Sequence, residues 1–150
     1  GELLGVAVAP HWSADFKTYP DPIMGHHAGT PNNEDPFVWM QPDGSWHIVN
    51  HQQSANNVCG SSDAGHSCGA HWFARSPFGP WTASKEPAYS ANVTLVNGSK
   101  ASFMTRQRPQ IVFAEDGLTP AYLFTSGSFV GNNPDLQMVT HTYAQRFVTN

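Results

Sequence analysis

The chain has 150 residues, 39% hydrophobic, 12% aromatic and only 12% charged, with a formal net charge of −4. That length allows one domain burying roughly two-thirds of the surface its unfolded chain exposes. The scattered Lys and Arg form no basic stripe, and no apolar run reaches the roughly 18 residues of a membrane-spanning helix, so neither nucleic acid nor a membrane is an expected partner.

Twelve prolines and thirteen glycines punctuate the chain, and no stretch carries the i, i+3, i+4, i+7 apolar series of an amphipathic helix. An all-β fold is expected. Val6-Ala-Val-Ala-Pro10 reads as the end of a strand, followed by a turn and Trp12. Phe37–Met40 and Trp46–Val49 are β-branched and aromatic, and Gln41-Pro-Asp-Gly44 between them is a turn, so the pair predicts a hairpin. Cys59 and Cys68, the two cysteines of the chain, bracket a loop of small residues. A bridge there stabilises by roughly 2–3 kcal/mol in the chain-entropy model. A zinc site is the poorer reading, because the CxxC spacing is missing. Phe73-Ala-Arg-Ser-Pro77 then repeats the opening phrase and is followed by Trp81. Asn92-Val-Thr and Asn97-Gly-Ser are glycosylation sequons in polar sequence. Two sequons beside a disulfide point to a secreted, extracellular glycoprotein.

The hairpin grammar returns at Arg108–Phe113, a Glu115-Asp-Gly117 turn and Ala121–Thr125, with a later strand expected over 136–142. In both hairpins the proline precedes the turn Asp by seven residues (36 to 43, 109 to 116), and the copies stand 73 residues apart. A repeating antiparallel unit of that length suits a propeller blade with a long inserted loop. The chain then holds two to two and a half four-stranded blades: residues 1–30 end one, 31–100 form the next with its disulfide loop, and 101–150 start another. Closure needs at least four blades, so the rest of the ring comes from further sequence or from other chains. Residues just before equivalent first strands converge at the channel mouth, which brings Glu34 and Asp35 towards Arg106, Gln107 and Arg108.

Three stretches carry a family likeness: NEDPFVWMQPDGSWHIVNHQ, GAHWFARSPFGPW and RQRPQIVFAEDG. In this order they resemble successive blades of the five-bladed β-propeller glycoside hydrolases related to family 43. They look most like a eukaryotic group reading EDPF-x-W, G-G-H-A-F-S and R-R-E-R-P-H. Leu4 to Trp12 is similar to the end of the preceding blade, and the likeness is weakest over 54–68 and 128–150. The resemblance implies hydrolysis or recognition of plant- or algal-type glycans by three channel-mouth carboxylates: a base Asp, an Asp that orients and tunes pKa, and an acid Glu. Paired acids suit the reaction, because one carboxyl protonates the leaving oxygen while another activates water. Asp35 matches the orienting carboxylate. The base Asp is expected before Gly1, and Gln107 stands where the acid aligns. An amide cannot donate that proton, so the alternative is a non-catalytic sugar-binding or structural propeller.

Glu34, Arg106, Arg108 and His51 complete the candidate substrate-binding set. Against each stands a plainer reading: Asp35 capping a turn, the arginines pairing with Glu34 or Asp35, His51 as a hydrogen-bonded strand histidine. In the family an axial histidine often helps to hold a calcium or a water cluster, so calcium is the one cofactor the likeness brings and His51 its candidate ligand. His71 is expected to pack between blades and His26-His27 to lie in an exposed loop. Trp39, Trp46 and Trp72 are expected in interblade packing, with Trp12 and Trp81 either packed or stacking sugars at the rim.

Overall fold

The computed structural model describes residues 3–23, 33–52, 68–129 and 140–147, which hold ten strands and no helix. They are β1 (Ala7–Val8), β2 (Lys17–Thr18), β3 (Asn33–Met40), β4 (Trp46–Gln52), β5 (Cys68–Ala74), β6 (Thr82–Ala83), β7 (Asn92–Thr94), β8 (Lys100–Phe113), β9 (Pro120–Phe129) and β10 (His141–Arg146). β1 and β2 form a two-stranded hairpin. The others build two four-stranded antiparallel sheets, β3-β4-β5-β6 and β7-β8-β9-β10, each meandering in sequence order.

The two long hairpins owe their register to matching turns. Asp43 accepts from the Ser45 amide at 2.9 Å while Gly44 takes a φ of 81°. In the second hairpin Asp116 accepts from the amides of Leu118 and Thr119, both at 2.8 Å, and Gly117 takes a φ of 69°. A short acidic side chain that mimics the backbone, followed by a residue free of Cβ strain, is what such turns require.

Strand alternation decides the layers. Phe37, Val49 and His71 lie across one face of the first sheet, with Trp39, His47 and Phe73 in the next row. This face meets Ile111, Phe113 and Leu123 of the second sheet, and Val49, Tyr89, Ile111 and Leu123 are the buried centre of the contact. The opposite face carries Val38, Ile48 and Trp72; there Ile48 packs with Leu4 of the N-terminal arm, flanked by Ile23 and Trp81. The first sheet therefore has a cover on each side.

Several sequence expectations need revision. Both long hairpins extend beyond the segments expected: β3 starts at Asn33, and β8 starts at Lys100 rather than Arg108. The second sheet begins with β7 at Asn92, ahead of residue 101, because β7 pairs with Lys100–Ser102 at the start of β8. Most of the strand expected over 136–142 lies outside the described residues, and the strand seen there is β10. Cys68 is fully buried at the start of β5 and no described cysteine is free. Its expected partner Cys59 lies outside the described residues, as does the His26-His27 pair.

Candidate functional site

Asp35 and Arg108, the residues preceding the two repeated prolines, have φ values of 52° and 56°. Such left-handed backbone is uncommon without glycine and is stored strain of order 1–3 kcal/mol each. Both sit in β-bulges. The pairing jumps from Glu34↔His51 to Phe37↔Val49 in the first hairpin and from Gln107↔Ser126 to Gln110↔Phe124 in the second. Two residues thus oppose one: Asp35-Pro36 face Asn50, and Arg108-Pro109 face Thr125. A proline without an amide hydrogen is tolerated at a bulge and re-aims the side chain before it.

The bulges meet. Arg108 Nε lies 4.0 Å from Asp35 Oδ1, both side chains partly open to solvent. Glu34 Oε1 accepts a 2.7 Å hydrogen bond from His51 Nδ1, with His51 only 1% exposed and Glu34 23%. One donor atom from each of Glu34, Asp35 and His51 falls within 4.8 Å of the others. Two carboxylates with one imidazole form a mixed set: the oxygens suit calcium or manganese, and the nitrogen shifts preference towards transition metals. These three residues would hold a cation if one binds here.

Behind the bulge, the buried Asn50 amide donates to Asn33 Oδ1 at 2.9 Å and to the His51 carbonyl at 2.7 Å. Asn50 Oδ1 in turn accepts from Trp72 Nε1 at 2.9 Å. This chain fixes the strand end that carries His51, and buried polar groups of this kind stabilise only when paired.

Arg106 is not beside Arg108. It is 2% exposed, and its guanidinium donates to Thr125 Oγ1 at 3.0 Å, the Ser90 carbonyl at 2.9 Å and Gln145 Oε1 at 2.8 Å. The same group lies over the rings of Tyr89, at 4.9 Å, and Phe103, at 5.5 Å. Burial among these neutral groups brings its pKa down to about 10. Arg106 thus ties β8 to β9, β10 and the segment before β7 and presents no open face to a ligand. Gln107 is half-buried, opposite Ser126.

Tyr89 was not foreseen. Its ring covers Gly69, where an added Cβ would come 2.0 Å from the ring edge. Its hydroxyl is buried and meets no hydrogen-bond partner among the described residues, and burial raises its pKa. The sequence signal was thin: one Tyr in the polar Lys85-Glu-Pro-Ala-Tyr89 link.

A second polar group lies along the rim of the sheet–sheet contact. His47 Nδ1 and His71 Nε2 are 2.9 Å apart, and Trp39 stacks on both rings at 5.0 and 5.8 Å. His47 Nε2 reaches Ser45 Oγ at 3.0 Å, which donates to Asp43. Because Asp43 takes the hydroxyl proton, His47 Nε2 carries the hydrogen towards Ser45, and His71 then donates to His47 Nδ1. Burial lowers the pKa of both histidines, and His71 is depressed further by His47. His71 thus stacks on Trp39 and His47 of its own sheet. Trp39 packs against the buried centre of the sheet–sheet contact, and Trp72 packs against the arm; Trp81 joins the arm cluster rather than a rim, and Trp12 stays 89% exposed. Asn92, on β7, and Asn97, in the turn after it, are both exposed.

No protein family, curated protein or solved structure matches the chain.

Proposed function

We propose that this chain is part of a carbohydrate-active β-propeller of the family-43 type, each four-stranded sheet being one blade and the paired bulges the mouth of its channel. The observation that carries this reading is the meeting of Asp35 and Arg108 in the same left-handed backbone, 73 residues apart in sequence. The carboxylates of Asp35 and Glu34, the latter held by the buried His51, and the Arg108 guanidinium on one partly open surface match the alternating donors and acceptors of sugar hydroxyls.

The reading extends to the rest of the molecule. Val112 and Tyr122 of the second sheet are exposed. By the repeat Val112 corresponds to Trp39, and Tyr122 pairs with Val112 as His47 does with Trp39; Trp39 and His47 are half-buried, so a further blade or another chain would cover the second pair. Calcium at Glu34, Asp35 and His51 is part of the proposal. So are a Cys59–Cys68 bridge, glycans at Asn92 and Asn97, and an extracellular location.

Recognition without hydrolysis is favoured by Gln107, an amide where the acid aligns. The test is a panel of plant and algal glycans assayed for binding and for release of reducing ends. Asp35→Asn and Arg108→Gln should each weaken binding by about tenfold, the loss of one charge-assisted hydrogen bond. Gln107→Glu should leave binding intact and is the variant in which hydrolysis could emerge. A panel with no ligand, or binding indifferent to both substitutions, would reject the proposal.

A further inference from the structure

The histidine pair on β4 and β5 plays no part in the sugar reading. His47 and His71 stand diagonally on neighbouring strands, both half-buried, so neither is sealed from solvent. His47 Nδ1 and His71 Nε2 lie 2.9 Å apart. Bonds from imidazole to a metal run about 2.0–2.1 Å, so two nitrogens bound at a right angle stand about 2.9 Å apart, and at a tetrahedral angle about 3.3 Å. The observed spacing is that of adjacent corners of a square-planar or octahedral ion. It is also a hydrogen-bond distance, which holds the two nitrogens at chelating separation before an ion arrives.

The other nitrogen of His47 supplies a second observation. Metal-bound histidines almost always donate their remaining N–H to a carboxylate, a carbonyl or water, which fixes tautomer and ring orientation. His47 Nε2 donates to Ser45 Oγ at 3.0 Å, and the Ser45 hydroxyl donates to Asp43. Asp43 is held in turn by the Ser45 amide at 2.9 Å and by Arg75 Nη1 at 3.1 Å. This chain keeps the Nδ1 lone pair of His47 turned towards His71. Trp39 limits ring rotation further, because all three rings lie nearly parallel, at 10° to 19° to one another. Burial lowers the pKa of both histidines, so protons do not compete for them at neutral pH.

We propose that His47 and His71 form a binding site for a divalent transition-metal ion, with Cu²⁺ preferred over Ni²⁺ and Zn²⁺. His47 Nδ1 and His71 Nε2 are adjacent ligands, the hydrogen between them moves to His71 Nδ1, and the other corners are left to water or a ligand oxygen. Cu²⁺ leads in the general affinity order and favours tetragonal geometry. Calcium and magnesium are excluded here, because they take oxygen ligands. The site is separate from the set of Glu34, Asp35 and His51.

Cu²⁺ is titrated into the full chain, followed by amide NMR spectra and tryptophan fluorescence. Substoichiometric Cu²⁺ should broaden the amides of Trp39, His47 and His71 first, and Trp39 should be quenched in a saturable way. His47→Gln and His71→Gln should each abolish that saturable phase. Ser45→Ala, which spares both ligands, should weaken binding by about tenfold. Calcium in large excess should leave it unchanged. The proposal is overturned if broadening centres elsewhere, at His51 or His11 for example, or if calcium displaces the copper. It is also overturned if either histidine variant keeps the affinity of the unaltered chain. Where those variants fail to fold, Ser45→Ala decides alone, and unchanged affinity in it overturns the proposal.

Discussion

At Asp35 and Arg108 the backbone, more than the side chain, sets the chemistry. A left-handed residue before proline is unfavourable for anything bulky, and a β-branched side chain suffers most. Asp35→Gly should therefore leave stability nearly unchanged, since relief of strain offsets the loss of a partly exposed ion pair. Asp35→Val should cost about 2 kcal/mol relative to Gly in urea denaturation. Equal midpoints for Gly and Val would mean that the bulge is absent. His47 and His71 give a second residue-level prediction. Their folded pKa values lie below the ordinary 6.5, so the unfolded chain binds protons more readily. Their contribution is complete above pH 6.5 and is lost progressively as pH falls below it. Replacing both with Gln should flatten the stability profile between pH 7 and pH 5. A slope of the same size in that variant would assign the effect to other groups.

At the scale of strands, Gly69 is the position where the first sheet admits its neighbour. The Tyr89 backbone bonds to Gly69, its amide donating to the Tyr89 carbonyl at 3.0 Å, while the Tyr89 ring occupies the space of a side chain. Gly69→Ala should cost upwards of 2 kcal/mol through overpacking, and most of that loss should disappear in the Gly69→Ala, Tyr89→Ala background. Additive losses in the double variant would place Tyr89 elsewhere. Much of the strand layout was legible in the sequence. Pro-Asp-Gly and Glu-Asp-Gly turns between β-branched and aromatic runs announced both long hairpins, and their common spacing announced the repeat. The bulges were not legible, and they misdirected the reading of Arg-Gln-Arg. Strict alternation puts Arg106 and Arg108 on one face; the bulge at Arg108-Pro109 breaks that parity, leaving Arg106 buried against Tyr89 and Arg108 two-thirds exposed. The His47–His71 contact escaped for a related reason: it is a diagonal pair across β4 and β5, fixed by a register that the sequence over 53–67 does not specify.

Over the whole molecule, two antiparallel sheets and an N-terminal arm stack in series, and the repeat related by 73 residues brings its two proline bulges to one place. The central claim is that both bulges serve a single ligand. Mapping amide chemical shifts during titration with a glycan that binds tests it most directly. The account predicts joint, saturable changes at residues 33–36, at His51 and at 107–110, with one affinity for all three groups. Shifts confined to one hairpin, or gathered around Trp39 and His47 at the rim, would contradict it.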